Sequence, residues 1–425
     1  VKVKKNWRDK KLDLADFGCF YGREWLSQVK AMLYTASYHV ARPLPFWFLA
    51  GCGKLGVCAP CEKPQGSDNR PVDFISQIKK GYAMHTPVTQ RTFLSVALAS
   101  ALALAFGSAQ AADIKARNVK FPIVNAIDHP QGLGAQKFVE VVNQKSGGKI
   151  KIKVFPNGTL GGEQQVAAAM QGGTVEVSMM SPAQLVGTIK EFVVLDFPFS
   201  FASEKQADAV LDGPFGKKLM DYMPAKGWVG LGFMEQGYRS ISNSKHPINK
   251  LEDIKGLKIR TILNPLYVDM LNTLGANAVP MPFPELYSAM ETKTVDGQEN
   301  PETTVDASKF YEVQKYFSAT RHIYNPQMLM VGKKFWDSLS ADEKKIFEEA
   351  AVEARDVQRK AARAMTEKSR KVMTDHGMQL NEIAPAEIAR MRDAVKPVTD
   401  KYAAQLDPEL VKAFRAELEK TKDLK

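Results

Sequence analysis

The pattern of apolar and polar positions divides the chain from residue 112 onwards into short strands and amphipathic helices. Early in this region strand-like and helix-like patterns alternate, at residues 119–125, 132–146, 150–155, 161–171 and 175–180. The first, third and last of these segments predict strands, and the two between them predict helices. Because the order is β-α-β-α-β, we expect a mainly parallel sheet with helices on both faces.

The remainder of the chain predicts further strands followed by helices. Residues 228–234 and 324–331 predict strands, and the second of these should return the chain to the first sheet after an excursion through residues 238–322. From residue 342 to about 376 the sequence is charge-rich with helical periodicity, which predicts one long surface helix, continuous or broken. Two shorter helices should follow it, at residues 385–406 and 408–421.

Residues 256–301 predict a strand, a helix, a loop, a second helix and a second loop. The strand alternates apolar and polar positions, and two prolines after the first helix exclude a central strand or helix interior there. This order places Arg260, Phe283 and Asn300 at the ends of elements. Since α/β proteins hold ligands at such ends, this region is the first candidate for a binding site.

The positive charge of the chain is concentrated before residue 112. The whole sequence has 58 Lys+Arg and 47 Asp+Glu, a formal net charge of +11. Residues 1–111 hold 15 of the basic and 7 of the acidic residues, which leaves 43 and 40 for the rest, a net charge of only +3. All 4 cysteines lie before residue 62. We therefore infer no nucleic-acid or membrane-surface partner for the main region, and no disulfide or thiol chemistry.

Residues 84–111 have the three parts of a secretory signal peptide. A short basic segment is followed by an uncharged apolar run, and an Ala-Gln-Ala sequence supplies a cleavage site. A membrane anchor is the alternative, because the apolar run approaches the length that spans a bilayer. Gly107, the many small alanines and the cleavage site favour removal, so we expect the rest of the protein in the periplasm.

Residues 1–83 precede this signal, although a signal peptide functions at an N-terminus. We expect them to be an upstream extension of the reading frame included in error, with no predicted fold. A G-x-G-x-x-G sequence at 51–56 resembles a dinucleotide fingerprint, but no helix pattern opens after it. Cys58 and Cys61 could form half of a zinc site or a redox pair, but the sequence has no second pair of ligands.

Several motifs match, in order and spacing, the solute-binding proteins of TRAP (tripartite ATP-independent periplasmic) transporters. They are the 256–301 stretch, Gly237-Tyr238-Arg239 and the runs at 309–313 and 322–331. The chain resembles that family over roughly residues 117–400. The resemblance implies an α/β fold of two lobes joined by a hinge, with an interlobe ligand cleft and a long helix that spans both lobes.

The resemblance also implies where the lobes begin and end. The first part of lobe I should cover residues 112–237, and the main part of lobe II should cover residues 238–323. Residues 324–425 should return to lobe I and include the long helix and the C-terminal helices.

The resemblance assigns ligand contacts to residues that would otherwise be interpreted as having only structural roles. Arg260 matches the arginine that binds the ligand carboxylate in this family, and a guanidinium fork can meet both carboxylate oxygens. Asn300 matches the asparagine against the same carboxylate, and Phe283 matches an apolar wall. Without the resemblance, Arg260 would be a surface or structural charge, Asn300 a turn former before proline, and Phe283 a core residue.

Five further residues are candidates for the same cleft. Arg239 would supply a second cationic contact, or else a surface salt bridge. Gln327 matches a polar contact near the hinge in the family. Ser181 and Gln184 follow a predicted strand and should face the cleft, and their neutrality argues mildly against a polyhydroxylated ligand. Glu235 could accept from a ligand amine or hydroxyl, or pair with Arg239.

The function implied is that of the extracytoplasmic solute-binding subunit of a TRAP transporter. Such a subunit captures a small organic acid and delivers it to small and large membrane permease subunits for ion-gradient-driven uptake. A C4-dicarboxylate is the default ligand, and two candidate arginines favour it slightly. We expect a monomer with no cofactor, no metal and no nucleic-acid partner.

Two other classes of function remain as alternatives. A ligand-binding sensor or chemoreceptor partner could use the same fold. An enzyme is disfavoured, because the sequence has neither a Gly-x-Ser-x-Gly elbow nor a P-loop, and no two histidines after residue 111 are spaced as metal ligands.

Overall fold

The computed structural model describes residues 113–424, so the expectations for residues 1–83 and for the signal peptide at 84–111 lie outside the described residues. The strands are β1 (Arg117–Pro122), β2 (Ile150–Phe155), β3 (Val177–Met180), β4 (Trp228–Asn243), β5 (Lys258–Thr261), β6 (Asn277–Pro280), β7 (Gly297–Asn300), β8 (Tyr316–Gly332) and β9 (Gln379–Glu382). The helices are α1 (Pro130–Lys145), α2 (Glu163–Gly172), α3 (Glu204–Asp212), α4 (Pro214–Met220), α5 (Pro265–Thr273), α6 (Leu286–Glu291), α7 (Glu302–Ala307), α8 (Lys333–Asp337), α9 (Ala341–Asp375), α10 (Pro385–Ala403) and α11 (Pro408–Lys420).

The strands form one large mixed sheet and one small parallel sheet. In the 7-stranded sheet the order is β3-β8-β4-β7-β5-β6, with β9 beside β8, while β1 and β2 pair in parallel. Strands β3 and β4 both run antiparallel to β8, and β4 also runs antiparallel to β7. The expectation of a mainly parallel sheet is therefore wrong for the large sheet. The β-α-β-α-β order determines only the β1–β2 crossover, because β3 pairs with a strand that arrives much later in the chain.

Strands β4 and β8 lie side by side at the centre of the large sheet and are much longer than predicted. They have 16 and 17 residues, respectively. The unpredicted parts, residues 235–243 and 316–323, are rich in polar and charged side chains that are nevertheless mostly buried. Many of these polar groups bond to other elements, as Arg239 does to Glu299 on β7 and Glu235 to Arg363 on α9, so an apolar pattern could not reveal these parts of the strands. Helices α3 and α4 were also not predicted.

Among the described residues there are three hydrophobic clusters: the largest includes residues of both predicted lobes, and α9 contributes to the other two. Val119 and Phe347 belong to the cluster of the first lobe, around β1, β2 and α1. Leu286, Phe310 and Met373 belong to the cluster of the second lobe. Phe347 and Met373 lie near opposite ends of α9, whose 35 residues extend about 50 Å. The two-lobed α/β fold with a long spanning helix is confirmed.

The predicted long helix is continuous because its start is well capped and its buried side recurs with helical spacing. Ser340 Oγ accepts from the backbone N–H of Glu343 at 3.2 Å, and Glu343 Oε2 accepts from the backbone N–H of Ser340 at 2.9 Å. Ile346, Ala350 and Ala351 are buried along one side, as the periodicity predicts. Within residues 113–424, no helix is both long and apolar enough to cross a membrane.

Candidate functional site

A small cavity of about 20 Å³ lies where the two lobes face the central strands β4 and β8. The predicted residues Arg260, Asn300, Arg239, Phe283, Gln327, Ser181 and Gln184 all line it. The cavity is also lined by residues that the sequence did not single out, namely Val124, Asn125, Glu163, Gln236, Ile262 and Asn325. The structure therefore brings together side chains from positions more than 200 residues apart in the chain.

Arg260 lines the cavity and has a donor that remains available to a ligand. It lies on β5 and is only 1% exposed. Its Nε and Nη2 donate to the backbone oxygen of Met281 at 2.9 and 2.6 Å, while its Nη1 has no hydrogen-bond partner among the described residues. The guanidinium lies 5.8 Å from the ring centre of Phe283. Burial lowers the pKa of Arg260 to about 10, so the side chain remains charged at neutral pH.

Arg239 lines the same cavity but is already paired. Its Nε and Nη2 donate to the carboxylate of Glu299, and Nη2 also donates to the backbone oxygen of Glu299 at 2.6 Å. Thr261 Oγ1 donates to the same carboxylate at 2.8 Å. Burial alone would raise the pKa of Glu299, but the Arg239 charge and its hydrogen bonds lower it to about 2. The surface salt bridge considered for Arg239 is thus a buried one, and its partner is Glu299.

Side-chain amides of Asn300, Gln327 and Asn325 line the cavity near the two arginines. Asn300 is 3% exposed and its Nδ2 donates to Gln298 Oε1 at 2.5 Å, which leaves one of its two amide N–H groups to face the cavity. Gln327, on β8, has an Oε1 without a hydrogen-bond partner within residues 113–424. Asn325 connects the two sides, because its Oδ1 accepts from Arg239 Nη1 at 3.2 Å and its Nδ2 donates to Ser181 Oγ at 2.9 Å.

Glu163 is the charged lining residue that the sequence interpretation missed. It is the first residue of α2, and its Oε1 accepts from the backbone N–H of Ser181 at 3.1 Å. Burial raises the pKa of its carboxyl, and the charges of Arg239 and Arg260 offset part of the rise. An acidic residue in the first turn of a helix is common, since it complements the helix dipole. Nothing in the sequence therefore distinguished this carboxylate from an ordinary one.

Glu235 lies outside this cavity, although it was predicted as a ligand contact. Its Oε2 accepts from Nε and Nη2 of Arg363 at 2.9 and 2.6 Å. Tyr324 Oη lies 3.4 Å from the same oxygen. The expected alternative, a pair with Arg239, is replaced by this pair with α9, because a β-bulge between Glu235 and Gly237 breaks the alternation of side chains along β4.

The arrangement is suited to binding an anion. The charged side chains at the cavity are a cation–carboxylate pair (Arg239 and Glu299), a second cation (Arg260) and a second carboxylate (Glu163). Within residues 113–424, no group of His, Cys, Asp and Glu side chains is placed to hold a metal ion.

Comparison with known proteins identifies the family. The family described as "bacterial extracellular solute-binding protein, family 7" matches residues 121–406. The chain belongs to this family. It is 35% identical over 247 residues to the 2,3-diketo-L-gulonate-binding periplasmic protein YiaO of Escherichia coli strain K12, covering 58% of this chain and 75% of that protein. It is 33% identical over 301 residues to the C4-dicarboxylate-binding periplasmic protein DctP of Rhodobacter capsulatus, covering 70% of this chain and 90% of that one.

A solved structure extends the similarity to three dimensions. The sugar acid binding protein DctPAm of Advenella mimigardefordensis strain DPN7T, crystallised with galactonate, is 43% identical, with a TM-score of 0.71 and coverage of 73% of this chain and 100% of that chain. The resemblance to TRAP solute-binding proteins is therefore confirmed. The family and these relatives are periplasmic solute-binding proteins rather than enzymes.

Proposed function

We propose that this TRAP solute-binding protein is exported by the signal peptide at 84–111, captures a small organic acid in the periplasm, and delivers it to the membrane permease. The observation that carries the proposal is Arg260, a fully buried cation whose Nη1 has no partner among the described residues. A buried unsatisfied donor on a charged group is costly, and a ligand carboxylate would satisfy it with a charge-assisted bond.

Closure of the two lobes is the mechanism. The ligand carboxylate binds Arg260 and Asn300, and the rest of the ligand contacts the wall formed by Asn125, Glu163 and Ser181 in the other lobe. Contacts to both lobes exist only when they are closed, so the ligand stabilises that state through its differential affinity. The permease then distinguishes the closed surface from the open one.

The charges favour an acid with a single carboxylate over the C4-dicarboxylate expected by default. Arg239 does not offer a second free cation, because Glu299 neutralises it. The second carboxylate of a dicarboxylate would instead share a small cavity with Glu163, and like charges in such a site repel. Among the relatives, both a sugar acid binder and a dicarboxylate binder are known, so the family alone does not decide.

Thermal unfolding of the protein against a panel of organic acids tests the proposal. A ligand at 100 times its dissociation constant adds about 2.7 kcal/mol to the free energy of unfolding. We expect a narrow group of monocarboxylates to stabilise the protein. No shift with any acid, together with no organic acid released on denaturation and detected by mass spectrometry, would refute carboxylate binding.

Glu163→Gln tests the charge argument, because the change keeps an acceptor oxygen but removes the negative charge. Affinity for succinate should rise relative to butanoate, which has the same chain length and one carboxylate. An unchanged ratio would contradict the proposed preference for a single carboxylate. Glu176→Gln, which changes an acidic residue in the first lobe outside the cavity lining, is the control.

An uptake assay in cells distinguishes delivery to a permease from a sensor role. Deleting the gene should abolish uptake of the labelled acid identified above, and expression of the wild-type protein should restore it. If uptake persisted while the transcriptional or motile response to the acid disappeared, the sensor alternative would be correct.

A further inference from the structure

The amide of Asn125 lines the cavity from the first lobe and is held in one orientation. Asn125 is 2% exposed and Gln131 is fully buried. Gln131 Nε2 donates to the backbone oxygen of Met179 at 2.8 Å. A carbonyl oxygen only accepts, so the Gln131 nitrogen must face it and the Gln131 oxygen must point the other way.

That oxygen of Gln131 in turn orients Asn125. Gln131 Oε1 accepts from the backbone N–H of Asn125 at 3.1 Å and from Asn125 Nδ2 at 2.9 Å. Flipping the Asn125 amide would place its oxygen against Gln131 Oε1, so that two acceptors would face each other. The nitrogen therefore stays on Gln131, and Asn125 Oδ1 is left as a buried acceptor with no partner among residues 113–424.

A second acceptor lies on the same side of the cavity. Glu163 accepts from the backbone N–H of Ser181 through Oε1, and a carboxylate has further lone pairs on both oxygens. The first lobe thus presents acceptors, whereas Arg260 and Asn300 in the other lobe present donors to the ligand carboxylate. A ligand group that meets Asn125 Oδ1 or Glu163 must donate a hydrogen bond to it.

We propose that Gln131 is a positioning residue that holds Asn125 Oδ1 towards the cavity as a fixed acceptor, and that the protein thereby selects acids with hydroxyl groups beyond the carboxylate. This inference rests on the proposed function, since it assumes that Arg260 binds the carboxylate. It also corrects the expectation that Ser181 and Gln184, being neutral, argue against a hydroxylated ligand. The acceptors that matter, Asn125 and Glu163, were not among the predicted residues.

Two series of acids of matched length provide the test. The four-carbon series is butanoate, erythronate and succinate, and the six-carbon series is hexanoate, galactonate and adipate. Dissociation constants are measured by calorimetry on the purified protein, after unfolding and refolding to remove any bound acid. In at least one series the hydroxylated acid should bind at least tenfold more tightly than the unsubstituted acid, since one hydrogen bond is worth about that factor.

Gln131→Met removes the group that orients Asn125. The ratio of dissociation constants between unsubstituted and hydroxylated acid should fall about tenfold, while the affinity for the unsubstituted acid changes little. A merely structural role would instead weaken all acids together and leave the ratio unchanged. Gln171→Met is the matched control, because Gln171 also donates to a backbone oxygen, that of Lys226, but does not line the cavity.

A double-mutant cycle shows whether Gln131 acts through Asn125. Asn125→Leu should cause the same loss of preference, and adding Gln131→Met to it should cause no further loss. Additive losses would overturn the positioning role. If Gln131→Met does not fold, Asn125→Leu alone must still lower the ratio, and an unchanged ratio would overturn the inference.

The two proposals fail in different ways. Binding of acids with no preference for hydroxyl groups would overturn this inference and leave carboxylate binding intact. Failure of every acid to bind would refute the proposed function itself, and this inference with it.

Discussion

Arg239 and Arg260 lie in the same cavity and are equally buried, at 2% and 1% exposure, but their surroundings are opposite. Arg239 is paired with the Glu299 carboxylate and hydrogen-bonded to Asn325. Arg260 donates only to a backbone oxygen, that of Met281, and keeps Nη1 without a partner in the part of the chain that the structure describes. Each guanidinium also lies near an aromatic ring, Tyr267 at 5.7 Å and Phe283 at 5.8 Å.

Burial alone therefore does not identify a binding residue. A buried charge with its counter-charge is part of the fold, because removing either partner leaves the other uncompensated. A buried charge without a direct ion pair is a cost to the unliganded protein, and a ligand of opposite charge relieves it. We therefore expect Arg239 and Glu299 to determine stability, and Arg260 to determine affinity.

The largest effect is expected from Glu299→Gln, which leaves the Arg239 charge buried without its partner. The free energy of unfolding should fall by about 3–5 kcal/mol, measured by urea denaturation. Glu409→Gln is the control, because Glu409 and its partner Lys412 are 71% and 76% exposed, and loss of this pair should cost at most about 1 kcal/mol. Equal losses in the two variants would contradict the structural role of the buried pair.

Asp196 is a buried carboxyl group under the influence of the Arg239 charge, and its titration should be visible in stability. Asp196 accepts from Tyr267 Oη and Asn264 Nδ2, each at 3.1 Å, and burial raises its pKa to about 7. Between pH 4 and 7 the folded state therefore holds a proton that the unfolded state has lost. The contribution of Asp196 to the free energy of unfolding should therefore fall by about 4 kcal/mol as the pH rises through this window, whereas the buried His129, whose pKa burial lowers to about 3, contributes a rise up to about pH 6.5.

Asp196→Asn should remove the falling contribution, so the free energy of unfolding of the variant relative to the wild type should rise between about pH 4 and 7, measured by denaturation at a series of pH values. The buried Glu163 and Glu302 carboxyls also have raised pKa values and contribute a remaining slope of the same sign. Asp423→Asn changes an exposed carboxylate near the end of the chain and should leave the curve as it is. If Asp196→Asn had the wild-type slope, Asp196 would not be the group that titrates.

The third effect concerns Arg260. It separates the two arginines, because substitution of Arg260 should change ligand affinity more than stability. Arg260→Met should weaken binding of the cognate acid by about 2–4 kcal/mol, since the ligand carboxylate loses its charge partner. The free energy of unfolding without ligand should change less than in Glu299→Gln, because Arg260 makes no direct ion pair within residues 113–424 and Glu299 and Glu163 act on its charge only at longer range. Arg415→Met, which removes an exposed charge, should change neither. Unchanged affinity in Arg260→Met would show that the carboxylate binds elsewhere.

The sequence predicted those elements of the fold whose local pattern decides their structure. Helix α9 was predicted almost to its ends because its capping residues and its buried side are local features. Strands β4 and β8 were predicted only over their apolar parts. Their polar parts are strands because of pairing across the sheet, as between Ser240 and Asn300, which a single segment does not encode.

Site residues that belong to a family motif could be predicted from the sequence. The roles of residues that depend on a charge partner far away in the sequence could not. Motif positions identified Arg260, Phe283 and Asn300 as cavity residues. The partner of Arg239 is Glu299, and a separation of 60 residues gives no sequence signal for such a pair. Glu163 was missed because an acid at a helix start is usual whether it faces water or a cavity.

The smallest predicted effect tests the aromatic neighbour of the free cation. Phe283→Leu keeps an apolar wall but removes the ring beside Arg260, and ligand affinity should fall by about 0.5–1 kcal/mol, measured by calorimetry with the cognate acid. The ring holds the guanidinium in place without neutralising it, so the loss should be smaller than that caused by Arg260→Met. Phe335→Leu removes a similar ring, 5.6 Å from Arg117 and away from the cavity, and should leave affinity unchanged. A loss in Phe283→Leu as large as that in Arg260→Met would mean that the apolar wall, rather than the unpaired cation, provides most of the binding energy.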